Sequence, residues 1–121
     1  MTYKLIGYED MLYPETRLLA FDPLNSFRHL DNPYHDMDRD DFLHQRSALE
    51  FVRDQMTDAQ RAELAQVDDH LRQNATVFNE AFTRVHALTD RSTALDGWVE
   101  DAEGNTPAIP RSHWWWWPLP T

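Results

Sequence analysis

The chain has 121 residues, 41% apolar and 12% aromatic, with a mean hydropathy of −0.70 and a formal net charge of −10. This length and composition suit one domain with a single core and exclude a disordered polar chain. No apolar run approaches the roughly 18 residues of a membrane-spanning helix, and the absence of cysteine excludes disulfides, thiolate metal sites and a cysteine nucleophile.

The charge is unevenly built. Lys4 is the sole lysine and every other cation is an arginine. Such a surface repels phosphate backbones and anionic bilayers, so direct nucleic-acid binding is not expected, membrane docking is disfavoured, and a basic protein partner is favoured. The N-terminus lacks the long apolar stretch of a signal peptide, and with no cysteine the default location is cytoplasmic.

In chain order, residues 1–37 read as a turn-rich arm. Residues 3–8, Tyr-Lys-Leu-Ile-Gly-Tyr, predict a short strand. Residues 16–21 suit a strand or a helical turn, and Asp22-Pro23 and Asn32-Pro33 mark turns.

Residues 38–89 predict a helical pair. In the first helix, at about 40–56, Asp38 or Asp40 is the expected cap, and Phe42, Leu49, Val52 and Met56 form the buried face. Thr57-Asp58-Ala59-Gln60 is a capping box that starts a second helix at about 58–89 after a very short turn. There Leu64, Leu71, Phe78 and Val85 recur every seven residues, with Val67, Asn74, Ala81 and Leu88 as the companion row. An unbroken helix over 60–88 would span about 40 Å. Asn74 is a polar interruption that either fixes register or faces partly to solvent. Glu80 and Arg84 are spaced for a solvated ion pair.

Residues 90–121 predict an extended arm, with turns at Asp96-Gly97 and Gly104-Asn105 and a strand near Trp98. The arm ends in Ser112-His113, four consecutive tryptophans (Trp114, Trp115, Trp116, Trp117) and Pro118-Leu119-Pro120. Four such rings carry roughly 600–1000 Å² of largely apolar surface, against roughly 300–600 Å² for the largest exposed patch of a typical monomer. Something must cover them. If residues 109–117 are extended, successive rings point to opposite faces and both faces need cover.

Candidate chemistry is sparse. Residues 29–41 hold two histidines and five aspartates, and His29, Asp31, His35 and Asp36 are the candidate metal ligands, with aspartates acting as helix caps as the competing reading. An EF-hand is excluded, because Asp41 stands where that loop needs glycine and Ser47 where it needs glutamate. Asp69 and His70 point different ways on a helix. Ser112-His113 is mere sequence adjacency, and three glycines leave no phosphate-cradling loop.

The expected fold is mainly α, with α+β as the alternative: a two-helix spine, extended terminal arms and a small antiparallel sheet. The expected function is a non-catalytic acidic protein-binding module, inhibitor- or antitoxin-like in its narrower form. It needs no cofactor, and its partner-binding residues are Trp114, Trp115, Trp116, Trp117 and Leu119. Two alternatives stand beside it. One is a small metal-dependent enzyme built on the loop 29–41. The other is a self-assembling homo-oligomeric subunit that shares its seam and tail between copies.

Overall fold

The computed structural model describes residues 2–21, 24–29, 36–87 and 91–121, the side chains of His29 and residues 36–40 excepted. The fold is mainly helical with a small antiparallel sheet. Strand β1 (Tyr3–Leu5) pairs with β2 (Val99–Asp101) in the register Tyr3 to Asp101 and Leu5 to Val99. Lys4 faces Glu100 across the pair at 3.2 Å. The turns flanking β2 use Gly97 and Gly104 at φ of 84° and 82°, a region that only glycine occupies without strain. Asp101 fixes the second turn, its Oδ1 accepting from the amides of Glu103 and Asn105.

Helix α1 (Asp36–Phe51) starts earlier than the sequence predicts, so Asp38 and Asp40 lie within the helix and not at its cap. Phe42, Leu49, Val52 and Met56 are buried as expected, but so are Leu43, Gln45, Arg46, Ser47 and Ala48. A helix buried around most of its circumference is a central element, not a surface one. The link to the next helix is six residues long and includes a 3-10 turn, Arg53–Gln55, where the sequence suggests a nearly direct junction.

The capping box forms as predicted. Thr57 Oγ1 accepts from the Gln60 amide, and Gln60 Oε1 accepts from the Thr57 amide. The predicted single helix is divided, however, into α2 (Asp58–Gln73), α3 (Ala75–Ala81) and α4 (Thr83–His86). Polar side chains compete for helical carbonyls at each break. Asn74 Nδ2 donates to the His70 carbonyl, and Thr83 Oγ1 donates to that of Asn79, each at 2.8 Å. Amide bonds still cross both breaks, from Phe78 to Asn74 and from His86 to Phe82, so the helical bonding continues through them. Leu64, Val67, Leu71, Phe78 and Val85 all turn inward, while Asn74 is half-buried, facing partly to solvent. No ion pair joins Glu80 to Arg84, both exposed. Leu88 lies outside the described residues.

The N-terminal arm folds as 3-10 turns at Glu9–Leu12, Leu18–Ala20 and Leu24–His29, the second of these settling the choice between strand and helical turn. Gln60 holds this arm: its Nε2 donates to the carbonyls of Met11, Tyr13 and Thr16 at 3.1, 2.9 and 3.3 Å. Glu63 adds a bond from the Leu19 amide.

Candidate binding surface at the tryptophan tail

The four tryptophans are not extended. Trp114–Trp116 is a 3-10 turn, closed by amide bonds from Trp116 to His113 and from Trp117 to Trp114. With three residues per turn, side chains step by about 120°. Strict two-sided alternation is thereby lost: Trp115 and Trp116 both enter the core, and Trp114 and Trp117 stay half-buried on its flank.

The anchor is Ser47, on the central helix α1. Its Oγ accepts from the indole N–H of Trp115 at 2.9 Å and of Trp116 at 2.7 Å, and lies 2.9 Å from His113 Nδ1. An indole N–H can only donate, so the two rings occupy both lone pairs of the hydroxyl. Its hydrogen must then point to His113 Nδ1, which makes that imidazole neutral with its proton on Nε2. Burial pushes the His113 pKa down to about 4. The nearby Glu50 charge opposes this shift and the Arg46 charge adds to it.

Arg46 packs beside this anchor with only 1% of its surface exposed. Its guanidinium lies 4.1 Å above the Trp115 ring and grips Asp68 of α2 with two bonds, Nε to Oδ1 at 2.9 Å and Nη2 to Oδ2 at 2.8 Å. Nη2 also reaches Glu50 Oε1 at 3.1 Å. Burial works to raise the Glu50 pKa, but bonds from Arg53 and the charges of Arg46 and Arg53 outweigh it and hold the carboxyl below its ordinary value.

Further along, the body reads the tail's main chain. His86 Nε2 donates to the Trp115 carbonyl at 3.1 Å and Arg91 to that of Trp116 at 3.1 Å. Burial lowers the His86 pKa, partly offset by that bond, and the Arg91 charge lowers it further. Asn79 takes Leu119 by both amide groups, each at 2.8 Å. On the outside, Arg72 stacks on Trp114 at 4.3 Å, and Arg91 and Arg111 on Trp117 at 4.6 and 4.9 Å.

Of the predicted partner-binding residues, then, Trp115 and Trp116 are core side chains, and only Trp114, Trp117 and Leu119 reach the surface. The predicted metal ligands Asp31 and His35 lie outside the described residues, as do the side chains of His29 and Asp36. Among the described residues, no group of three or more histidines and carboxylates is brought together to hold a metal. His113 partners Ser47, not its neighbour Ser112. Although Ser47 and His113 form the pairing of a nucleophile and its base, the oxygen is inaccessible and both its lone pairs are engaged, so the pair supports the tail and does not present a nucleophile. Asp69 is exposed, and His70 meets the edge of Phe27 at 5.2 Å.

Gln45, Arg46 and Ser47 escape the sequence reading because their partners are distant: Gln45 Oε1 accepts from the Leu24 amide, Arg46 holds Asp68, and Ser47 holds the tail. The available signal was the spread of apolar residues in 42–49 around the whole helix. No family model, curated protein or solved structure matches the chain.

Proposed function

We propose that the protein is a non-catalytic acidic module that binds a basic protein partner, with an inhibitor- or antitoxin-like action as its narrower form and the cytoplasm as its setting. The observation that carries this reading is how the charge is arranged. Most of the described cations are drawn into contacts within the chain: Lys4, Arg17, Arg46, Arg53 and Arg61 pair with carboxylates, Arg28, Arg72, Arg91 and Arg111 lie over aromatic rings, and Arg84 alone among the described residues stands exposed without such a contact. Many carboxylates have no such engagement among the described residues and face water, among them Asp10, Glu15, Asp41, Asp54, Glu80 and Asp96. A field of one sign steers association with the opposite sign and disfavours like-charged partners.

Three of these carboxylates belong to segments that meet at the start of α2. Gln60 draws the arm carrying Asp10 and Glu15 onto the start of α2, and Asp54 lies in the turn before it. Tyr13, 53% exposed, projects from the same stretch. This end is a suitable contact face for a basic partner, with Trp114, Trp117 and Leu119 as the part of the tail that a partner could reach.

A library of lysine- and arginine-rich peptides, screened at low and high salt, tests the reading. The expected result is sequence-selective, salt-sensitive binding that the triple variant Asp10→Asn/Glu15→Gln/Asp54→Asn weakens about tenfold or more. Removing three charges elsewhere, at Asp69, Glu80 and Asp96, should have a smaller effect. Equal loss in both variants, or retention that follows peptide charge alone, overturns it.

A further inference from the structure

Arg72, Ala75, Trp114, Leu119 and Pro120 line a groove of about 430 Å³. The lining is mostly apolar, and the volume falls within the range of small-molecule sites. Its polar element is the Arg72 guanidinium, lying 4.3 Å from the centre of the Trp114 ring.

The arginines stacked on the tail differ in what their N–H groups do. Arg46 gives Nε and Nη2 to Asp68 and Glu50, while its Nη1 is buried without a partner. Arg91 donates to the carbonyls of His86 and Trp116. Arg72 is satisfied by no carboxylate or carbonyl among the described residues. Asp68, one helical turn before it, is committed to Arg46, and no ion pair joins Arg72 to Asp69. Arg111 also stacks without such a partner, and it is not among the residues that line this groove. Arg72 is therefore a cation steadied by an aromatic ring, lining an apolar groove with donors that no carboxylate or carbonyl among the described residues takes up. A guanidinium presents paired donors in one plane, the pattern that a carboxylate accepts.

We infer that this groove binds a small organic carboxylate with an apolar body, the carboxylate taken by Arg72 and the body laid between Trp114, Ala75, Leu119 and Pro120. The charge of Arg72 sets the sign of the ligand, and the shape of the lining sets its apolar character. This site lies on the tail face, away from the acidic end at the start of α2; it shares Trp114 and Leu119 with the part of the tail offered to a partner above, but its ligand and its test do not rest on that proposal.

The test is a titration of the ¹⁵N-labelled full chain with three probes of similar shape: phenylacetate, phenethylamine and 2-phenylethanol. Phenylacetate should shift the Trp114 indole and Leu119 amide signals saturably, and bind at least tenfold more tightly than the amine or the alcohol. Arg72→Gln should abolish that preference, and Arg111→Gln should leave it intact. Arg72→Lys, which keeps the charge but loses the planar donor pair, should fall between; it also supplies the answer if the glutamine variant loses its dispersed spectrum. Equal binding of the three probes, shifts confined to another face, or undiminished phenylacetate affinity in both Arg72 variants overturns the inference.

Discussion

Each arm of this protein meets one buried polar side chain that makes three bonds to it, and the two side chains do so by opposite means. Gln60 holds the N-terminal arm through main-chain carbonyls, at Met11, Tyr13 and Thr16. Ser47 holds the C-terminal tail through side chains, at Trp115, Trp116 and His113. Main-chain pinning is indifferent to most side chains in the arm, so Tyr13 can stand exposed without consequence for the bond at its carbonyl. Side-chain pinning demands those particular residues, and because one of them is an imidazole it also ties the tail to pH.

The sharpest way to break the comparison is at the rings. Trp116→Ala removes a fully buried side chain and leaves one Ser47 lone pair empty. A loss of about 3–5 kcal/mol is expected from urea unfolding followed by circular dichroism. Tyr13→Ala, on the arm held through its main chain, should change stability by less than about 0.5 kcal/mol. Comparable losses in the two variants would mean that the arms are not held differently.

The next effect is pH. The folded His113 pKa lies near 4, below its ordinary value of 6.5, so the unfolded chain takes up a proton more readily across that window. The stability contributed by neutral His113 is complete above pH 6.5, declines as pH falls through the window, and is gone below about 4. The amount is about 3 kcal/mol. His86, lowered in the same direction, adds to the trend. His113→Asn preserves an acceptor for the Ser47 hydroxyl but cannot titrate, so the wild type should lose about 3 kcal/mol more than this variant between pH 6.5 and 4. Parallel curves would remove His113 from the account.

The smallest effect compares the two pins directly. Ser47→Ala leaves two buried indole donors without an acceptor, and about 2–3 kcal/mol should be lost. Gln60→Ala leaves carbonyls, some within reach of water, together with an incomplete capping box, and the expected loss is about 2 kcal/mol. The diagnostic is location. Acrylamide quenching of tryptophan fluorescence should rise for Ser47→Ala and stay near the wild-type level for Gln60→Ala, since four of the five tryptophans report the tail.

Much of this was open to reading in advance, where the determinants are local. Thr57 and Gln60 stand three residues apart, and the capping box needs nothing else. Leu64, Leu71, Phe78 and Val85 recur at a helical period, and any helix must turn them to one side. The breaks at Asn74 and Phe82 were less legible, since a side chain competing for a carbonyl alters the path without erasing the period. The expectation of an extended tryptophan run failed because the four rings do not alternate between apolar and polar, and without alternation the pattern does not choose between strand and 3-10 turn.

By itself the sequence determined the helical class, the capped start of α2, the inward face of the segmented helix that follows, the glycine turns beside β2, and the need to cover the tail. All of these follow from short-range sterics, periodicity and apolar area. The tertiary structure decided what did the covering and at which atoms. Ser47 became the anchor of residues 66 to 69 positions away, Arg46 became a buried cation, and Trp115 and Trp116 were separated from Trp114 and Trp117. Those assignments depend on which distant groups arrive together in space, and a hydroxyl or a guanidinium carries no mark in sequence of the partner that will satisfy it.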